Sequence, residues 1–86
     1  MKAVVAPVLA NPARQEIMRL LYVAPRTPSE LSAALGLSQS YISNLLAALK
    51  GHRLVTSERS GRKVLYHLDE RVRPAMQGKI REQRNV

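Results

Sequence analysis

The segment from Ser38 to Lys50 carries side chains suited to reading hydrogen-bonding groups without bringing charge to them. Ser40, Ser43, Asn44 and Ala47 recur at helical spacing, with Gln39 and Tyr41 beside them in the first turn. Short hydroxyl and amide side chains can approach base edges closely and hydrogen-bond there, whereas a helix face meant only for water more often shows Glu and Lys. A ring at Tyr41 fits either the sugar-phosphate backbone or the interior of the fold. A second group is cationic: Arg59, Arg62 and Lys63 fall within five positions around a turn signal, where they can reach phosphates or a minor groove. Ser38, Lys50 and, further upstream, Arg14 complete the candidate phosphate contacts.

These side chains need elements to hold them, and the local signals supply an order. Asn11-Pro12 reads as N-cap and first residue of a helix running to about Tyr22, with Ala13, Ile17, Leu20 and Leu21 as its apolar stripe. Thr27-Pro28-Ser29-Glu30 is a capping box, in which the Thr27 hydroxyl accepts from the Glu30 N–H and the Glu30 carboxylate reaches back. The helix so begun carries Leu31, Ala34 and Leu35 on one side and stops at Gly36. Only Leu37 separates that stop from Ser38, a second N-cap, so the two helices must cross steeply, as in a DNA-reading helix pair. Ile42, Leu45, Leu46 and Leu49 then form a buried stripe, and Gly51 is the expected C-cap.

Leu54 to Arg59 and Lys63 to Leu68 read as strands joined at Ser60-Gly61, with Val64, Tyr66 and Leu68 directed at the helices. The expected fold class is therefore mostly α with a small β-hairpin, a winged helix-turn-helix. It forms one domain over residues 1–86, with the helix-turn-helix at 27–50, the wing at 54–68 and terminal helices at 1–10 and 70–82. Asp69 can cap the last of these, although Pro74 forces either a kink or a start nearer Arg73. Val4, Val5 and Val8 at one end and Val72, Met76 and Ile80 at the other form apolar strips that a two-fold partner would cover, making the expected assembly a homodimer. The other possibility is that each strip covers its own subunit.

Composition narrows the function classes. The chain of 86 residues carries a formal charge of +8. Ten of its 14 Lys and Arg lie from Lys50 onward, which places positive potential around the wing and the C-terminal segment. A membrane surface or an acidic protein would attract the same charge, but neither accounts for the uncharged face of the Ser38-to-Lys50 helix. No apolar run is long enough to span a bilayer, and the N-terminus lacks the pattern of an export signal, so the expected location is the cytoplasm. With no cysteine there is neither disulfide nor thiolate chemistry. No Gly-rich phosphate loop and no assembled catalytic group occurs either, so the chain does not read as an enzyme.

Taken in register, several segments closely resemble the ArsR/SmtB family of bacterial repressors. They are Leu9-Ala10-Asn11-Pro12-Ala13-Arg14, Leu31-Ser32-Ala33-Ala34-Leu35-Gly36-Leu37-Ser38-Gln39-Ser40, Ile42-Ser43, Leu46, Leu49, Leu54-Val55, Gly61-Arg62 and Tyr66-His67-Leu68. The resemblance implies a homodimeric repressor that sets paired recognition helices on a palindromic double-stranded operator through terminal-helix contacts. Many members sense metals, and there the match fails. The arsenic-type thiolate pair would fall at Thr27 and Ser29, and the segment from Asp69 to Val86 has no His for a zinc-type site. His52 and His67 read as surface residues. No metal or other cofactor is therefore expected, and the inducer is left open between a small molecule, a partner protein and none. The competing class is a winged-helix protein-protein interaction module.

Overall fold

The computed structural model describes residues 10–77, so the expectations for Val4, Val5, Val8 and Ile80 lie outside the described residues. Three helices precede a hairpin: α1 (Pro12–Val23), α2 (Pro28–Leu35), α3 (Gln39–Gly51), β1 (Val55–Ser60) and β2 (Lys63–Leu68). The caps form as their local chemistry dictates. Asn11 Oδ1 accepts from the Ala13 and Arg14 N–H groups at 2.8 and 3.2 Å. At α2 both halves of the capping box close, Glu30 N–H to Thr27 Oγ1 at 3.2 Å and Thr27 N–H to Glu30 Oε1 at 2.8 Å. Gly36 ends that helix at φ 67, a conformation a residue with a Cβ takes only at a cost.

One core holds these elements together. Ile17, Met18, Leu21, Leu31, the four α3 residues Ile42, Leu45, Leu46 and Leu49, and Leu54, Val55 and Leu68 are all buried. Met18 takes a place in the stripe of α1 expected from Leu20, which is only half-buried at its edge with Ala13. Ala34 is exposed rather than inward. By the pitch of α2, Leu35 lies about 40° to one side of buried Leu31 and Ala34 about 60° to the other, and the core, which Leu37 also joins, sits on the Leu35 side.

The end of α3 differs from expectation in an instructive way. Gly51 stays within the helix, His52 is the cap, and the left-handed residue is Arg53 at φ 59. Leu54 N–H donates to Leu49 O at 2.9 Å and Arg53 N–H to Lys50 O at 3.0 Å, the paired bonds of a Schellman motif. That motif accompanies an apolar contact between the residues at its two ends, here Leu49 and Leu54, both buried. Burying Leu54 fixes the register, and the left-handed conformation falls on Arg53.

The hairpin is antiparallel with Ser60 paired to Lys63, so the connecting loop is Gly61-Arg62, one residue later than the turn signal suggested. Gly61 has φ 65. Tyr66 and Leu68 meet the helical core, whereas Val64, opposite Arg59 near the tip, is half-buried and outside that cluster because the hairpin projects beyond the helices. An additional antiparallel bridge joins Arg26 to Tyr66, with N–H to O distances of 3.0 and 2.8 Å. After β2, Asp69 Oδ1 accepts from the Arg71 N–H at 2.9 Å. Residues 73–77 are helical, so Pro74 lies in a first turn, where its missing N–H has no helical partner to lose. Val72 and Met76 pack half-buried against their own subunit's core.

Candidate nucleic-acid interface

Burial of Ile42, Leu45, Leu46 and Leu49 leaves the opposite side of α3 facing outward. At 3.6 residues per turn, Gln39, Ser43, Ala47, Ser40 and Asn44 fan in that order across an arc of about 140°, and all five are exposed. Tyr41 lies just beyond the arc, toward the buried side, and its 40% exposure fits that flanking place. The only charged residue within α3 is Lys50, which by the same pitch projects between Gln39 and Ser43 but stands in the last turn, beyond these five along the axis. The arc can therefore donate and accept hydrogen bonds through two amides and two hydroxyls, with a methyl at its centre.

Ser38 fixes where this face begins. Its Oγ accepts from the Tyr41 N–H at 3.2 Å, which leaves the hydroxyl proton free to donate toward an anion at the helix start. Lys50 at the other end donates to Ser57 Oγ of β1 at 2.7 Å, tying the last turn of α3 to the wing. Arg59, Arg62 and Lys63 are exposed at the hairpin tip, and none of them enters an ion pair among the described residues. Arg14 is half-buried on α1, apart from the tip in sequence and in element.

The Arg26–Tyr66 bridge was missed in the sequence because neither residue belongs to a strand-like pair with the other. It anchors the wing immediately before the capping box of α2. The Glu30 carboxyl is held below its usual range, first by the Thr27 backbone hydrogen bond, then by the Thr27 hydroxyl and the cations Arg26 and Lys63. Lys63 thus serves two neighbours, the tip and the start of α2. On the face of the wing that Lys63 shares with Leu65 and His67, His67 Nε2 and Glu58 Oε1 lie 2.5 Å apart. Arg71 forms a two-point contact with Asp69 at 3.1 and 3.2 Å, which lowers the pKa of the carboxyl and raises that of the guanidinium. Arg73 donates to Tyr22 O at 2.9 Å and lies 4.9 Å from the centre of that ring. Among the described residues no group of three or more His, Asp or Glu could hold a metal ion. No helix there is long and apolar enough to cross a membrane.

Comparison with known proteins matches residues 11–57 to a sequence model described as "Bacterial regulatory protein, arsR family", a stretch covering more than half of the chain. The HTH-type transcriptional regulator NmtR of Mycobacterium tuberculosis is 37% identical over 60 residues, covering 70% of this chain and 50% of NmtR. The HTH-type transcriptional repressor SmtB of the same species is 45% identical over 60 residues, covering 70% of this chain and 44% of SmtB. The chain thus spans about half the length of the curated relatives it matches. Among solved structures, the homodimeric winged helix-turn-helix DNA-binding domain of Mb0332 from Mycobacterium bovis superposes with a TM-score of 0.83 at 26% identity, covering 96% of this chain and 77% of that one. The matched stretch runs from the Asn11 cap through α3 into β1, the part of the molecule that carries the outward arc, and on that match the chain belongs to the ArsR family of bacterial regulatory proteins.

Proposed function

We propose that this chain is a sequence-specific, double-stranded-DNA-binding transcription regulator, a repressor acting as a homodimer on a palindromic operator. One observation carries the reading: from Gln39 to Ala47 the outward arc of α3 is polar, uncharged and exposed, and it stands on the same scaffold as a protruding tip of cations that enter no ion pair among the described residues. In this reading α3 enters the major groove with Gln39, Ser40, Ser43 and Asn44 at base edges, and Tyr41 lies against the flanking backbone. Ser38, Arg59, Arg62 and Lys63 hold phosphates. Lys50 can do so as well while keeping its bond to Ser57, because an ammonium has three donors. Arg14 contributes from α1. The sides of Val72 and Met76 that their own core leaves uncovered, with the segments at both ends of the chain, form the dimer contact, and one winged domain spans the chain.

The repressor role is supported by the relative named SmtB, and the homodimer by the Mb0332 domain. In this reading the protein works in the cytoplasm, and its inducer is a small molecule, a partner protein or none. The test is a titration of labelled random duplex at rising salt. Binding should weaken steeply and linearly on a double-logarithmic plot. Absence of binding at 50 mM salt would overturn the proposal and favour the protein-interaction alternative.

A further inference from the structure

Resting on that DNA-binding reading, we infer that α3 reads a half-site core of A·T pairs, with a thymine methyl against Ala47 and adenines hydrogen-bonded by Asn44 and Gln39. The residue types on the arc carry the inference. Arginine or lysine is the usual reader of guanine through O6 and N7, and a carboxylate is the usual acceptor from the cytosine N4 amino group. Between Gln39 and Gly51 there is neither an arginine nor a carboxylate, and the one lysine, Lys50, stands in the last turn next to the wing, where it donates to Ser57 Oγ at 2.7 Å and, in the reading above, to a phosphate. The amides that are present pair in bidentate fashion with adenine N6 and N7.

Position on the arc sharpens this. Ala47 lies at the middle of the fan, with Ser43 and Ser40 on either side and the amides of Gln39 and Asn44 at its two margins. Nothing longer than a hydroxymethyl stands in the centre, so the helix can seat deeply with the Ala47 methyl leading. The group in a major groove that rewards a leading methyl is the thymine C5-methyl. The two amides are separated along the axis by about 7.5 Å, roughly two base-pair steps, so they reach different adenines. Serine hydroxyls accept either base and add hydrogen bonds without changing the preference.

The test uses the full chain with a random-duplex selection, followed by affinities for the selected duplex carrying single base analogues. The selected half-site should have an A·T core. Asn44→Ala should lose about 5- to 150-fold of adenine preference at one position and leave the others intact. Uracil in place of the thymine beneath Ala47 should weaken binding by about fourfold, the worth of one buried methyl. In Ala47→Gly that thymine-to-uracil ratio should fall to one, a comparison within a single variant that any loss of helix stability leaves unchanged. A selected guanine under α3 whose 7-deaza analogue abolishes recognition would overturn the inference, as would a thymine-to-uracil ratio of one in the unaltered protein. The guanine result would overturn this inference alone, salt-sensitive binding with no sequence preference would overturn it together with the sequence-specific part of the proposed function, and no duplex binding at low salt would overturn the DNA reading whole.

Discussion

Arg62→Ala separates the electrostatic share of the proposed interface from its reading share. Arg62 occupies the two-residue loop of the hairpin, exposed and outside any ion pair among the described residues, so its truncation removes charge and little else. A surface change of this kind should alter stability by no more than about 0.5 kcal/mol. Each phosphate contact contributes about 0.9 to the slope of log affinity against log salt, so loss of one contact from each half of a homodimer should flatten the slope by about 1.8. At 0.1 M salt that corresponds to roughly 60-fold weaker binding, the same for an operator as for random duplex, because phosphates carry no sequence information. Fluorescence anisotropy at four salt concentrations on both duplexes measures the slope and the ratio together. An unchanged slope, or a loss confined to the operator, would refute the assignment of the wing tip to phosphate.

The remaining predictions concern the scaffold that presents the face. Gly51→Ala should stabilise the protein by about 0.5–1 kcal/mol, since Gly51 is helical and open space surrounds the added methyl, whereas Gly36→Ala should destabilise it by about 1–2 kcal/mol because its φ is positive. Urea denaturation of the pair reads both signs. Thr27→Ala should cost about 1 kcal/mol through loss of the cap, equivalent to a drop in Tm of about 4–8 °C in a thermal melt. Glu30 has a folded-state pKa below its ordinary value of 4.5, so its contribution to stability is complete above that value and is lost as pH falls through the lower folded pKa. Glu30→Gln should therefore narrow the gap between stabilities measured at pH 6 and pH 3.

Much of the site could be read from residues close in the chain because the determining interactions are themselves local. The capping box closes between residues three apart, as does the Ser38 cap, and the alternation of buried leucines with exposed hydroxyls and amides follows the pitch of a single helix. The same locality accounts for the two misplacements at turns. Gly61 and Gly51 were both sound markers of a turn or a helix end nearby. The register at each was decided by a longer contact, the pairing of Ser60 with Lys63 in one case and the burial of Leu54 against Leu49 in the other.

The amino-acid sequence by itself determined three capped helices, a basic hairpin and an uncharged outward face on α3, since each depends on hydrogen bonds or periodicities within about one turn or one strand. Only the tertiary structure decided how those parts are joined. Arg26 bridges to Tyr66, Lys50 reaches Ser57 and Arg73 covers Tyr22, contacts between segments that no spacing rule connects. Their physical origin is the closing of one small core. Once Met18, Leu31, Leu49 and Leu68 are drawn from four different elements out of water, the backbones and long polar side chains around them take the partners that this packing brings within reach.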